Sequence, residues 1–142
     1  MSDIDQVASI TALRHSRTDC VTASTDSVDF LYPIRTTDAV CFESYVTWAG
    51  TSSIEVFVKV IAENLKRGER KMAATALLTF VALDKEQRPT RVPEVIPETE
   101  EERKLNETAS ERARMRKERK EKSKELSMFY TTTIPGIDAV YS

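Results

Sequence analysis

The chain has 142 residues, a formal net charge of −2, and five prolines against three glycines. That length suits one domain with a modest core and few flexible linkers, and the near-neutral charge gives the molecule as a whole no basis for binding nucleic acid. The two cysteines, Cys20 and Cys41, have neither metal-site spacing nor disulfide density, and no signal peptide or membrane-length apolar run is present, so a soluble protein of a reducing compartment is expected.

The first predicted element is a helix over Ile4 to Arg14. Ile4, Val7, Ala8, Ile10, Ala12 and Leu13 fall on one broad face, and Asp3 and Asp5 place negative charge against the positive helix end. Residues 20–30 follow as a loosely alternating strand with Val21, Ala23, Val28 and Phe30, ended by Pro33. Residues 40–49 make a second strand, and Gly50 gives a tight turn into a third over residues 53–63. There Ile54, Val56, Val58 and Val60 point one way while Glu55, Phe57, Lys59 and Ile61 point the other. Both cysteines lie in strand segments, where a free cysteine packs as a small hydrophobe.

Residues 64–70, with Gly68, read as a polar turn. The apolar run from Met72 to Leu83 allows a helix by length, but its context favours another antiparallel strand. One helix followed by an antiparallel meander is an α+β solution. Pro89, Pro93 and Pro97 then exclude regular structure up to Glu98, and residues 99–126 form a charged helix. In it Leu105, Ala109, Met115 and Leu126 are too sparse for a core-facing stripe. The expected organisation is residues 1–97 as the main domain, 98–127 as the charged helix, and 128–142 as a tail without assignment. Glu111, Glu118, Glu121 and Glu125 interleave the basic residues of that helix, so it reads as a solvated, salt-bridged helix lying on or projecting from the domain rather than as a nucleic-acid-binding arm.

Four stretches in order carry a resemblance: IDQVASITALRH (4–15), VTASTDSVDFLYPIR (21–35), VTWAGTSSIEVFVKV (46–60) and AATALLTFVALD (73–84), with VPEVIPETEEER (92–103) continuing it. Together they resemble the acyl-CoA thioesterases of the hotdog fold. The resemblance implies a long central helix wrapped by an antiparallel sheet. It also implies pairing into a dimer with the active site between subunits, and a trimer of dimers. The implied reaction is hydrolysis of fatty acyl-CoA to a free acid and coenzyme A in the cytoplasm. No metal and no cofactor takes part, coenzyme A being part of the substrate, and no membrane insertion is implied.

By pattern alone Asp5 reads as an ordinary first-turn aspartate worth about 0.3–1 kcal/mol at the helix end. The resemblance makes it the catalytic carboxylate, because Ile4-Asp5 and Val21-Thr22 reproduce the family's pair and its distance. Gly50, Thr51, Ser52 and Ser53 match the segment beside the pantetheine arm, although many relatives have arginine where this chain has Thr51. Val28 and Phe30 match the groove lining, and core packing accounts for them equally well. Arg67, Arg70 and Lys71 suit the nucleotide phosphates, with plain solvation as the default for a charged turn. Relatives carry a strand and a Gly-Gly loop with a polar residue, often Asn, before the central helix. Glycine occurs here only at 50, 68 and 136, so turnover of this chain on its own is expected to be impaired. The alternative is a non-catalytic, oligomerising or CoA-binding hotdog subunit.

Overall fold

The structure is a computed structural model and describes residues 2–129. In chain order it has α1 (Ser2–Ser16), β1 (Asp19–Phe30), β2 (Asp38–Ala49), β3 (Ser53–Asn64), β4 (Glu69–Leu83) and α2 (Glu100–Ser127). The class is the expected α+β. Helix α1 ends where Arg17 turns to a φ of 60° and its N–H bonds the Leu13 carbonyl at 2.8 Å, a left-handed helix stop.

All four strands join in one antiparallel sheet of order β1-β4-β3-β2. Strands β2, β3 and β4 form the expected meander, but β1 does not extend it beside β2. It lies on the far side of β4, from Asp19 opposite Leu83 to Phe30 opposite Ala74. Its loose alternation has a cause: register shifts at Thr22/Ser24 and Thr25/Ser27 place an extra residue in β1 each time. The turn after β3 is also tighter than expected, because Asn64, Glu69 and Arg70 are paired and only residues 65–68 turn.

The period-2 pattern of β3 sorts its two faces as read. Ile54, Val56, Val58 and Val60 lie opposite Phe80, Leu78, Ala76 and Ala74, and these eight join Ile4, Ala8 and Ala12 of α1 in the core. The broad apolar face of α1 divides, however: Ile10 and Leu13 are 51% and 48% exposed. Cys20 packs against the core, whereas Cys41 is exposed on the edge strand β2 instead of packing as a small hydrophobe.

On the opposite face, Glu55 is fully buried and its Oε1 accepts a 2.7 Å bond from the Thr47 hydroxyl. Thr47 is the extra residue of a bulge, between Val46 opposite Val56 and Trp48 opposite Glu55. The chain divides into two compact units, one ending at Ala109 and the other starting at Ser110. Within the first, α2 meets the sheet through polar contacts: Asn106 donates to the Thr47 carbonyl at 2.8 Å, and Glu101 accepts from Tyr45 at 2.6 Å and Lys59 at 3.0 Å. Within the second, Arg114 bridges Glu111 and Glu118, the salt-bridged pattern expected there. Residues 130–142 of the unassigned tail lie outside the described residues.

Candidate active site

Asp5 sits one helical turn before Ser9 on α1, between buried Ile4 and half-buried Val7. Its Oδ1 is buried and has no hydrogen-bond partner among the described residues. Such an oxygen is costly to leave unmatched. No cluster of His, Cys, Asp and Glu among the described residues is arranged to hold a metal ion.

Two contacts set the direction of α1 across the sheet. Thr11 bonds Ser44 in the middle of β2, and His15 Nε2 lies 2.9 Å from the Pro93 carbonyl. Pro93 follows Val92, whose N–H bonds the Thr51 carbonyl at 3.0 Å. The C-terminal end of α1 therefore points at the turn of residues 50–53. Asp5 is ten residues, or about 15 Å of helix, before His15 and lies toward the other end. Within one subunit Asp5 and the 50–53 turn are kept apart.

That turn is tight, as expected: the Gly50 N–H bonds the Ser53 carbonyl at 2.8 Å. A side chain at residue 50 meets the Trp48 ring at 2.7 Å, so only glycine lets the indole fold over the turn. Arg67 lies in the β3–β4 turn, and Arg70 and Lys71 lie on β4 opposite Glu63 and Ala62, so the length of β3 places the three roughly 30–40 Å from the 50–53 turn. There Arg67 and Lys71 share an open cleft of about 530 Å³ with Tyr32 and Arg35, while Arg70 is not part of its lining. Val28 is half-buried against the core, and Phe30, 77% exposed, lines an adjoining apolar hollow formed by residues 30–34. The predicted residues thus fall into three places in one subunit: Asp5 on α1, the 50–53 turn, and the cluster around residues 28–35 and 67–71.

Thr22 enters the sequence reading only as half of the Val21-Thr22 landmark. In the structure it lies opposite Phe80, on the same face of the sheet as α1, and its side is exposed. Tyr45 and Glu101 hold the shifted ionisations of this unit. Burial first, and then the bond to Glu101, raise the Tyr45 phenol far above its ordinary value. The same bond, with Lys59 beside it, lowers the Glu101 carboxyl.

A family model described as the thioesterase superfamily matches residues 1–69. The uncharacterized acyl-CoA thioester hydrolase YkhA of Bacillus subtilis is 60% identical over 135 residues, covering 95% of this chain and 78% of that protein. A structure of the acyl-CoA hydrolase of Staphylococcus aureus in complex with butyryl coenzyme A is 44% identical with a TM-score of 0.85, covering 91% of this chain and 79% of that one. An apo hexameric acyl-CoA thioesterase is 45% identical with a TM-score of 0.79, covering 83% of this chain and 76% of that one. Variants of the Staphylococcus aureus hydrolase with an aspartate or a threonine replaced by alanine have also been solved. Those two positions are separated by the same number of residues as Asp5 and Thr22 in the present sequence.

Proposed function

The chain belongs to the hotdog-fold acyl-CoA thioesterases of the thioesterase superfamily, and from that premise we propose that it hydrolyses fatty acyl-CoA with Asp5 as the catalytic carboxylate. The observation that carries the role of Asp5 is its buried, partnerless Oδ1 on the central helix. Water adds slowly to a thioester until a base removes its proton. Asp5 takes that proton as the water oxygen bonds the carbonyl carbon. The carbon–sulfur bond then breaks, the thiolate leaves and receives the proton, and the products are a free acid and coenzyme A. No cofactor enters this scheme. Thr22, facing the α1 side of the sheet, is proposed to act with Asp5 in positioning the water or the thioester; the matching spacing in the solved variants supports this pairing.

The separation of Asp5 from the 50–53 turn within one subunit supports a site shared between subunits. In this reading the copies pair as dimers and three dimers assemble, an arrangement supported by the hexameric relative. Gly50, Thr51, Ser52 and Ser53 of one copy then flank the pantetheine arm, and Val28 and Phe30 line the acyl groove. A cytoplasmic setting is in keeping with two free cysteines, one of them exposed. The test is Asp5→Asn in the intact assembly, following thiol release from a long-chain acyl-CoA. Turnover is expected to fall ~10²–10⁴-fold with the assembly unchanged. Turnover at the parent rate overturns the role of Asp5. Binding of coenzyme A without turnover by the parent protein favours the non-catalytic reading instead.

A further inference from the structure

The two ends of the sheet differ in surface chemistry. At one end the turn of residues 50–52 is Gly-Thr-Ser, with neither a charge nor a large apolar side chain. At the other, two connections lie side by side: residues 31–37 between β1 and β2, and residues 65–68 between β3 and β4. Phe30, Leu31, Tyr32, Ile34 and Leu65 all stand exposed at that end. The same two connections carry Arg35, Lys66 and Arg67 and no acidic residue, in a chain whose net charge is −2. Lys71 adds a fourth base near the start of β4, and Asp38 and Glu69 are the acids that line the cleft among them.

Both connections are held by hydrogen bonds, so these side chains are presented on a fixed frame. The Leu31 and Tyr32 N–H groups bond the Ala73 carbonyl at 2.8 and 3.2 Å, and the Arg35 N–H bonds Asp38 Oδ2 at 2.9 Å. Asn64 Oδ1 accepts from the Lys66 and Arg67 N–H groups at 2.9 and 3.1 Å, and Gly68 closes the turn with a φ of 70°. Connections are ordinarily polar, and contiguous apolar side chains left in water mark a surface that something covers. The mixture of groups says what covers it. A second copy seated symmetrically on this patch sets like charges against one another, which opposes the pairing. An anionic bilayer satisfies both halves: its headgroups neutralise the bases, and its acyl boundary takes the apolar side chains without a matching shape. Tyr32, with the Lys71 ammonium 5.3 Å from its ring centre, suits a boundary that is apolar on one side and wet on the other. The long stems of lysine and arginine reach past apolar neighbours and leave their charges at the headgroups.

We propose that this end of the sheet docks on the surface of an anionic lipid bilayer, with Leu31, Ile34 and Leu65 entering the boundary and Arg35, Lys66 and Arg67 meeting the headgroups. The contact is peripheral, since no helix among the described residues is long and apolar enough to cross a membrane. Fatty acyl chains gather in the same boundary, so docking places the protein where fatty acyl-CoA collects. The inference does not rest on the hydrolytic reading, and its failure leaves the role of Asp5 standing.

The test is cosedimentation of the intact protein with vesicles of equal parts phosphatidylserine and phosphatidylcholine, against vesicles of phosphatidylcholine alone. Binding to the anionic vesicles is expected, weakening as salt rises and at least about tenfold weaker on the neutral ones. Lys66→Ala is expected to weaken it roughly fivefold, whereas Lys85→Ala, at the opposite end of the sheet, leaves it unchanged. Leu31→Ser combined with Ile34→Ser is expected to weaken it at least about tenfold at every salt concentration. Melting temperatures and sedimentation equal to those of the parent show that the variants fold and assemble. No binding by the parent protein overturns the proposal, as does undiminished binding by the Leu31/Ile34 variant. A Leu31/Ile34 variant that folds but falls into smaller species overturns it too, because the patch is then a contact between copies.

Discussion

Thr47 shows how a single residue is held by what surrounds it. As the extra residue of a β2 bulge, it leaves the regular pairing and turns its hydroxyl toward Glu55, donating to Oε1 at 2.7 Å, while its own carbonyl accepts from Asn106. Glu55 is fully buried, so each lost donor leaves a polar group short of partners in a poorly solvating interior. Thr47→Val keeps the β-branched shape and removes only that donor. It is expected to destabilise the fold by about 1–3 kcal/mol in denaturant unfolding; an unchanged midpoint would show that the Thr47–Glu55 bond contributes nothing net. None of this is visible in the residues 46–56 as letters, where Glu55 reads as an outward member of an alternating strand. Burial of an acid on the outer face depends on what covers that face, and the covering residues lie some fifty positions later. The same holds for Thr22, one hydroxyl residue in a strand full of them. Asp5 is different: its place in a spaced pair of landmarks makes it legible where its local pattern does not.

At the scale of elements, strong periodicity carried through. Strand β3 and helix α1 stand within two residues of where the apolar pattern puts them, because burial on one face dictates that pattern. Two bulges blur the pattern of β1, and the sequence leaves open whether α2 lies on the domain or projects from it, because its docking uses polar groups. A sparse apolar stripe is no guide to a helix held by Glu101, Asn106 and a fully buried Ala109. That docking carries a pH signature. The Glu101 carboxyl is lowered in the folded state, chiefly by the Tyr45 phenol and then by Lys59, so its contribution is present above the ordinary carboxylate value and is lost as pH falls through the folded one. The Tyr45 phenol is raised by burial and by Glu101, so its contribution is present below its ordinary value and is lost as pH climbs above about 10. Tyr45→Phe is therefore expected to lower the melting temperature at neutral pH and to flatten its decline at both the acid and the alkaline limits. Since Glu101 is half-exposed, the neutral-pH effect is small, of the order of 1 kcal/mol or less. Parallel melting curves for the two proteins across the whole pH range would remove the Tyr45–Glu101 bond from the account.

For the molecule as a whole, the sheet order could not be read from the chain, since β1 finds β4 across some fifty residues and a meander is the simpler expectation. The order matters because it leaves β1 as a twelve-residue edge with β4 as its single strand partner among the described residues. Long edges pair readily with further strands unless they are blunted. Val21 on that edge is 49% exposed, and Ile10 and Leu13, neighbours on one side of α1, are exposed to a similar degree. Those helix residues fall on the same broad apolar face as the buried ones, because an apolar face looks the same in sequence whether it meets its own sheet or a second copy. Apolar side chains left bare on both the edge strand and the central helix are what pairing of two copies through β1 and α1 would cover. Ile10→Lys combined with Leu13→Lys places two charges on that face without touching the buried Ala8 and Ala12 beneath it. The parent protein is expected to sediment as a dimer or larger, and the double variant to shift toward monomer with its strand content retained. Because Asp5 and the 50–53 turn of one subunit are kept apart, turnover should fall together with the fraction of assembled protein, recovering as concentration is raised. A monomeric variant that hydrolyses acyl-CoA at the parent rate would separate assembly from catalysis and put a complete site inside one subunit.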